Sequence, residues 1–326
     1  MRSIIVVLII GTILVGCFSQ NSVNLLPMEE EALSTRVVQS ADNKGTENKI
    51  LILDIDGVLQ EEGCRFFMLS EEPMTVVVKK KLNKALKDDD IKAVVLRINS
   101  PGGTVTASDI IYKEIKTYKQ KAKVPVVAVL MGTAASGGYY TACSADRIIA
   151  HPTTITGSIG VLVASFGFNG LFQKIGMESR VVKSGPLKDI GNPFDEFTPE
   201  ERAVFQNIVD QFYDRFLDVV AEGRQGLTKQ EVAALSDGRI FTAKEALEKK
   251  LIDRIGYLDD SIEEAKRLAH IRDARVIIYS NSWRKENNVY STSASTTAPS
   301  FNVSQQMLEN IIDQSKPKFL YMYMGQ

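Results

Sequence analysis

The chain alternates short, almost unbroken apolar runs with longer segments in which apolar residues recur every three or four positions. Runs of the first kind cover residues 50–55, 93–98 and 124–130 and are rich in β-branched residues. Such runs are typical of strands buried on both faces of a parallel sheet. The segments between them, residues 73–87 and the stretch through Ile111, have the period of amphipathic helices. This alternation predicts repeated βα units and an α/β layered core.

The pattern of residues 198–270 predicts a mostly helical second half. Thr198 followed by Pro199 and Glu201 is typical of a capped helix start, and a long apolar face follows it. The same three-residue cap spacing recurs downstream at Thr228 with Glu231, Thr242 with Glu245 and Asp260 with Glu263. Short strands are expected at three further places, residues 147–150, 180–182 and 276–279.

The two ends of the chain differ from this pattern. Residues 1–16 are mostly apolar, with Arg2 as the only charge, and suit a secretory signal or an N-terminal anchor. They run into Cys17 in a sequence that resembles a bacterial lipobox, so lipidation of Cys17 is expected, with the uncleaved anchor as the alternative. Residues 17–48 are predicted to be a tether that precedes the folded domain of residues 49–280. Beyond it we expect a polar linker over 281–300 and a C-terminal segment over 301–326.

Composition narrows the class of protein. Of the 326 residues 44% are hydrophobic and 24% charged, and the net charge is -1, which provides no basic surface for a nucleic acid. Three cysteines do not make a disulfide scaffold, and the two histidines, His151 and His270, have no metal-ligand spacing. We therefore expect no metal, no cofactor and no nucleic-acid partner.

Glycine-rich turns follow two of the predicted strands. Residues 99–103 follow one, and residues 131–138, in which Ser136 is preceded and followed by small residues, follow the other. Because parallel strands end at the same edge of a sheet, the two turns should share one pocket. Backbone N–H groups in such a turn favour a developing negative charge, although small residues also simply allow a helix to pack closely on a sheet.

A nucleophilic serine needs a base. His151 stands at a strand end with nothing to mark it as a partner, and the Ser136 stretch lacks the G-x-S-x-G pattern of Ser-His-Asp hydrolases. Lysine can replace histidine if it is desolvated enough to be neutral. Lys188 lies in a turn-rich loop of the sort that carries sites, and on the residues alone it is one candidate among several.

Four motifs together resemble the signal peptide peptidase A family, also called protease IV. They are N-S-P-G-G at residues 99–103, A-S-G-G-Y-Y at 135–140, T-G-S-I-G at 156–160 and S-G-P-L-K-D at 184–189. The resemblance covers about residues 50–280, in the family's order and spacing. It corresponds to the family's short, one-domain form.

The resemblance implies a Ser-Lys endopeptidase on a crotonase/Clp-protease-like fold. By position, Ser136 corresponds to the nucleophile, Lys188 to the general base and Ser158 to the hydroxyl that orients the lysine. Gly103 and Gly137 correspond to the oxyanion N–H donors. The implied substrates are hydrophobic peptides, chiefly signal peptide remnants at the extracytoplasmic face of a cell membrane. The implied assembly is a homo-oligomeric ring in which neighbouring subunits share each site.

Two alternatives from other classes remain at this point. A crotonase-like acyl-CoA enzyme would use the paired glycine N–H groups without a dyad, but we find no glutamate in the stretches around Gly102 and Ser136. An inactive membrane scaffold of the same fold would not react with an activated-serine probe.

Overall fold

A computed structural model gives the architecture of most of the chain. It describes residues 33–43, 45–62, 65–66, 69–70, 72–280, 288–290 and 318–323. The signal or anchor segment, Cys17 and most of the predicted 281–300 linker lie outside the described residues.

The strands and helices have the following bounds. The strands are β1 (Ser34–Gln39), β2 (Lys49–Asp56), β3 (Arg65–Phe66), β4 (Leu69–Ser70), β5 (Ile91–Ser100), β6 (Gly102–Thr104), β7 (Val126–Ala135), β8 (Arg147–Ala150), β9 (Ile155–Gly157), β10 (Leu162–Ala164), β11 (Ile240–Thr242), β12 (Arg254–Ile255), β13 (Arg275–Ser280) and β14 (Lys318–Met322). The helices are α1 (Met74–Ala85), α2 (Val105–Ala122), α3 (Gly137–Ala142), α4 (Asn169–Lys174), α5 (Pro199–Gly223), α6 (Lys229–Ala234), α7 (Ala243–Glu248) and α8 (Leu258–Leu268).

The central sheet is mostly parallel. Its order within the described residues is β1-β13-β2-β5-β7-β8-β12. Strand β9 pairs with the last residues of β7 and, on its other side, with β11. The strands from β13 to β12 run parallel to one another, whereas β1 and β11 are antiparallel to their neighbours. A sheet of this kind with helices packed on it confirms the α/β fold class.

Burial on both faces explains the unbroken apolar runs. Alternate residues of the central strands, such as Ile52, Val95 and Val129, form one cluster with Leu258 and Ile262 of helix α8. The residues between them are equally buried and face the opposite side of the sheet, where α1 and α2 lie. A strand with a helix layer on each side has no position for a polar side chain, apart from paired ones.

One buried ion pair interrupts this apolar layer. Arg97 of β5 is 6% exposed and Asp54 of β2 is 7% exposed. Arg97 Nε donates to the Asp54 carboxylate at 2.6 Å. The Arg97 guanidinium also donates to the carbonyl of Val289 and so holds one point of the segment that leads to β14.

Three sequence expectations are corrected. Residues 180–182 form no strand and pair with no described strand, and Val182 is fully exposed, so its apolar side chain is not buried in a sheet. The predicted 17–48 tether ends earlier than expected, since Ser34–Gln39 pairs with β13. The last helix starts before Asp260, whose carboxylate accepts from the backbone N–H of Tyr257 at 2.8 Å. The other three capping boxes, at Thr198, Thr228 and Thr242, are confirmed.

Across the described part of the chain, no helix has both the length and the hydropathy that crossing a bilayer requires.

Candidate active site

Ser136 lies at the carboxyl end of β7, in the turn that enters helix α3. Its φ of 51° is in the region that L-residues rarely adopt, and the residue is 1% exposed. Two hydrogen bonds hold this backbone: its N–H donates to the carbonyl of Gly157 at 2.8 Å, and its carbonyl accepts from Tyr140 N–H at 2.8 Å. Strain of this kind persists only where neighbouring structure over-determines it, and it concentrates at functional sites.

The two glycine turns lie against each other at the carboxyl ends of β5 and β7. A Cβ placed on Gly102 would lie 2.7 Å from the amide nitrogen of Gly137. A Cβ on Gly103 would collide with the carbonyl of Leu59, and one on Gly137 with the hydroxyl of Ser108. Only glycine lets these backbone segments approach so closely, and the approach brings the turn of Gly102 and Gly103 against Gly137, the residue after Ser136.

Ser158 lies next to Ser136 through strand pairing. Strand β9 runs parallel to the end of β7 with Ala135 opposite Gly157, so the residues that follow each, Ser136 and Ser158, are neighbours. Ser158 also has a positive φ, of 50°, and its N–H donates to the carbonyl of Arg239 at 2.7 Å. It is 7% exposed and lines a cavity of about 500 Å³ that continues to Tyr213 and Tyr323.

Lys188 does not join this group within the chain. It is exposed, its backbone N–H closes a turn on the carbonyl of Gly185 at 3.1 Å, and no hydrogen bond or ion pair among the described residues links it to Ser136 or Ser158. Of the five active-site residues expected from the sequence, backbone pairing and close approach connect four, whereas no described hydrogen bond or ion pair connects Lys188 to them.

The segment that carries Lys188 has an apolar surface. No residue of α4 is buried, and the segment between β10 and α5 exposes a series of large apolar side chains. We call this the 166–187 apolar surface; its exposed members are Phe166, Leu171, Ile175, Met177, Val181, Val182 and Leu187. Exposed apolar residues this numerous are typical of interaction surfaces.

The groove beside the glycine turns is filled by the C-terminal strand. Strand β14 pairs antiparallel with β6 on one side and with β10 on the other. Tyr321 lies opposite Gly103, and Tyr323 N–H donates to the carbonyl of Pro101 at 2.8 Å. Because antiparallel pairs alternate, Tyr321 and Gly103 then form a hydrogen-bonded pair. The Tyr321 carbonyl oxygen lies 3.1 Å from the position of a Cβ on Gly137.

Two aromatic side chains on one face of β14 pack on helix α5. Tyr321 is fully buried, and its ring centroid is 4.6 Å from that of Phe216. Phe319 contacts Phe205 and Phe212 at centroid distances of 5.9 and 5.5 Å. The sequence analysis assigned no role to this segment, although aromatic residues at every second position from 319 to 323 are a strand signal that could have revealed it.

His151 has structural contacts. Its Nδ1 lies 2.9 Å from the hydroxyl of Thr153, and its ring contacts the ring of Tyr257 edge-on at 5.0 Å. Neither contact connects it to Ser136.

Comparison with known proteins identifies relatives of this arrangement. The model of peptidase family S49 matches residues 118–272, and that of the Clp protease family matches residues 59–156. A protein of Enterococcus faecium named "Putative signal peptide peptidase SppA" is 36% identical over 249 residues, which are 76% of this chain and 72% of that protein. "Protease 4" of Haemophilus influenzae is 32% identical over 277 residues, 85% of this chain and 44% of that longer protein.

Proposed function

Because the chain belongs to peptidase family S49 and is a serine peptidase, we propose that it hydrolyses peptide bonds with a dyad of Ser136 and Lys188. In this proposal Ser136 is the nucleophile and Lys188 the general base. Ser158 orients the lysine by hydrogen bonding, and the N–H groups of Gly103 and Gly137 stabilise the oxyanion.

The observation that carries the proposal is the position of Tyr321. A peptide bound as an added strand on β6 would place the carbonyl of one residue near Gly103 and Gly137, where the Tyr321 carbonyl lies. Backbone N–H donors aimed at such an oxygen are the arrangement that stabilises a tetrahedral intermediate.

The mechanism then follows ordinary acyl transfer. Neutral Lys188 takes the proton of Ser136 as Oγ adds to the carbonyl carbon, and the negative charge moves to the carbonyl oxygen between the two glycine N–H groups. The intermediate collapses, the C–N bond breaks, and the lysine returns the proton to the departing amine. Water, deprotonated by the same lysine, releases the acyl group and restores the serine.

We further propose that Lys188 acts on Ser136 of a neighbouring subunit in a ring. Three observations support this: Lys188 is exposed and makes no described hydrogen bond or ion pair to Ser136, the side chains of the 166–187 apolar surface are exposed, and a cavity of about 500 Å³ lies beside Ser158. Packing the loop against a neighbour would exclude water, which favours the neutral lysine that a base requires. Clp-like folds are suited to oligomers.

For the substrate, we propose hydrophobic peptides, chiefly signal peptides after their removal, at the outer face of a membrane. The name of the Enterococcus relative and the apolar, aromatic lining of the β14 groove support this class. The chain would be held at the membrane by a lipid on Cys17 or by residues 1–16, both outside the described residues.

The proposal is tested on the purified full chain with a synthetic signal peptide. Ser136→Ala should abolish acylation by an activated-serine probe, and Lys188→Ala should lower kcat/KM by about a thousandfold or more. Lys183→Ala, in the same loop but paired with Asp189 at 2.7 Å, is the matched control and should retain activity.

Mixing distinguishes a shared site from one within a subunit. Ser136→Ala and Lys188→Ala chains, each inactive, should recover partial activity after dissociation and reassembly, because some interfaces pair an intact serine with an intact lysine. Full peptidase activity in either variant refutes the dyad. A fully active monomer, or no recovery despite demonstrated subunit exchange, refutes the shared site.

A further inference from the structure

We propose that Thr156 is a positioning residue for catalysis: its buried hydroxyl holds the end of β7, and with it Ser136, in a fixed position against Ser158. Thr156 acts through the strand that carries the nucleophile, without contact to the reacting atoms. This inference rests on the proposed function, in which Ser136 and Ser158 belong to one site.

The end of β7 is offset from the body of the strand. Residues 98–100 of β5 span two steps, whereas the residues opposite them on β7, 130–134, span four, so β7 carries two extra residues at this point. A bulge of this kind interrupts the regular ladder. On its other side, β7 pairs with β8 as far as Leu130 and with β9 from Thr133 onward. Beyond the bulge β7 has three register partners on β9 and one on β5, so β9 does most to fix its end.

Thr156 connects β9 to this end through its side chain. Its hydroxyl donates to the carbonyl of Ala134 at 2.6 Å, and both residues are fully buried. One residue further along, the carbonyl of Gly157 accepts from Ser136 N–H at 2.8 Å. The two bonds lie on either side of the last register pair of β7 and β9. They hold Ser136 against β9, and Ser158 is the residue that follows that strand.

Strand β9 is held on its other side as well. It pairs antiparallel with β11, which places Phe241 opposite Thr156, and Ser158 N–H donates to the carbonyl of Arg239 at 2.7 Å. The backbone of Ser136 has a positive φ, of 51°, and such a conformation persists only where its surroundings over-determine it. The Thr156 hydroxyl is one such constraint, and it is supplied by a side chain that can be changed without altering the backbone bonds.

Burial makes this donor difficult to replace. Thr156 and Ala134 are both 0% exposed, so water does not take the place of the hydroxyl. A neutral hydrogen bond is worth a few-fold to about tenfold in an equilibrium constant, and a displacement of about 1 Å at a reacting atom can cost about a hundredfold in rate. Thr156→Val should therefore lower kcat by about ten- to hundredfold. KM should change by less than about threefold, because the proposed peptide strand binds on β6.

The test measures hydrolysis of a synthetic signal peptide by full-length chains, with active sites counted by an activated-serine probe. Thr156→Val keeps the shape of the side chain and loses the donor, whereas Thr156→Ser keeps the donor and loses the methyl group. Thr156→Ser should retain kcat per site within about threefold. Unchanged kcat in Thr156→Val, or an equal loss in Thr156→Ser, overturns the proposal. If Thr156→Val does not fold, Thr156→Ala is compared with Thr156→Ser in the same way.

Thr154→Val is the matched control. Thr154 is also buried, and its hydroxyl lies 2.8 Å from the carbonyl oxygen of Leu130 and 2.6 Å from that of Met131, before the end of β7 that carries Ser136. The substitution should lower Tm about as much as Thr156→Val does but leave kcat per site within about threefold. An equal loss of kcat in both variants would indicate general destabilisation and refute the assignment.

Amide hydrogen exchange separates this inference from the proposed function, because it needs no turnover. Exchange at residues 133–138 should accelerate in Thr156→Val and stay unchanged in Thr156→Ser and Thr154→Val. This pattern together with no hydrolysis by the unmodified chain would refute the peptidase proposal and support the hold of Thr156 on Ser136. Hydrolysis that depends on Ser136, with unchanged exchange and kcat in Thr156→Val, would support the peptidase and refute the positioning role.

Discussion

Removal of the Tyr321 side chain should open the groove and raise activity on short peptides. Strand β14 pairs with β6 and β10, and in the proposed binding mode a peptide takes the same place on β6, so a substrate would have to displace the strand. Tyr321 anchors the strand: it is fully buried between Tyr140 and Phe216, and its hydroxyl is bonded to the Phe212 carbonyl. Tyr321→Ala and Tyr321→Phe weaken this anchor by different amounts.

The amounts can be calculated from the contacts. Truncation of a buried aromatic residue to alanine costs about 3–5 kcal/mol, whereas loss of one neutral hydrogen bond costs about 1 kcal/mol. At about 1.4 kcal/mol per tenfold change, Tyr321→Ala weakens docking of the strand by roughly a hundredfold or more and Tyr321→Phe by about fivefold. The gain in kcat/KM cannot exceed the docking equilibrium constant of the unmodified strand. We therefore expect kcat/KM to increase from the unmodified chain to Tyr321→Phe and again to Tyr321→Ala, up to the value for a chain whose groove is fully open.

The assay is hydrolysis of a short fluorogenic peptide by intact full-length chains, with the mass of each chain checked before and after. Amide hydrogen exchange in residues 318–322 should accelerate in the same order as kcat/KM. Tyr290→Ala is a suitable control, because Tyr290 directly follows Val289 in the segment before β14 but its own side chain is exposed, and the substitution leaves the Val289 carbonyl that accepts from Arg97 in place. Unchanged or lower kcat/KM in Tyr321→Ala, despite faster exchange in the strand, would refute the view that β14 occupies the substrate path.

Three further predictions concern the rest of the molecule. Asp54→Ala leaves the buried Arg97 without its carboxylate and should lower the free energy of unfolding by about 3–5 kcal/mol, measured by urea denaturation; a loss below about 1 kcal/mol would contradict it. Although burial opposes the shift, hydrogen bonds from Arg224 hold the pKa of Asp253 below 3.8. Because the folded-state pKa is the lower one, this carboxylate stabilises the protein above about pH 3.8, and the stabilisation is lost as pH falls through the folded-state pKa. Asp253→Asn should flatten that part of the acid dependence in denaturation at stepwise pH, and an unchanged slope would refute the assignment. Finally, mass spectrometry of the membrane-bound protein should find a chain that begins at diacylglyceryl-modified Cys17; a chain retaining residues 1–16 would support the anchor instead.

Local patterns in the sequence determined most of the fold. The apolar runs at 50–55, 93–98 and 124–130 are central strands because a residue type that excludes water on both faces has only one stable place in a layered sheet. The boxes at Thr198 and Thr228 start helices because each satisfies backbone N–H groups with side chains three residues away. Short apolar runs carry no such local signal. Residues 180–182 have the pattern of a strand but belong to the exposed 166–187 apolar surface.

Only the tertiary structure decided which residues share the site. The sequence determined the two glycine turns, and parallel strand order brought Gly103, Gly137 and Ser136 to one edge. It could not determine that Lys188 is exposed on the surface of the chain, because the path of the long segment between β10 and α5 depends on what it packs against. It also did not reveal the partner of the alternating aromatic residues of β14. The alternation of a strand shows which of its faces is apolar, but not which other strand it pairs with. Here β14 pairs with β6, so that Tyr321 lies opposite Gly103, more than two hundred positions earlier in the chain.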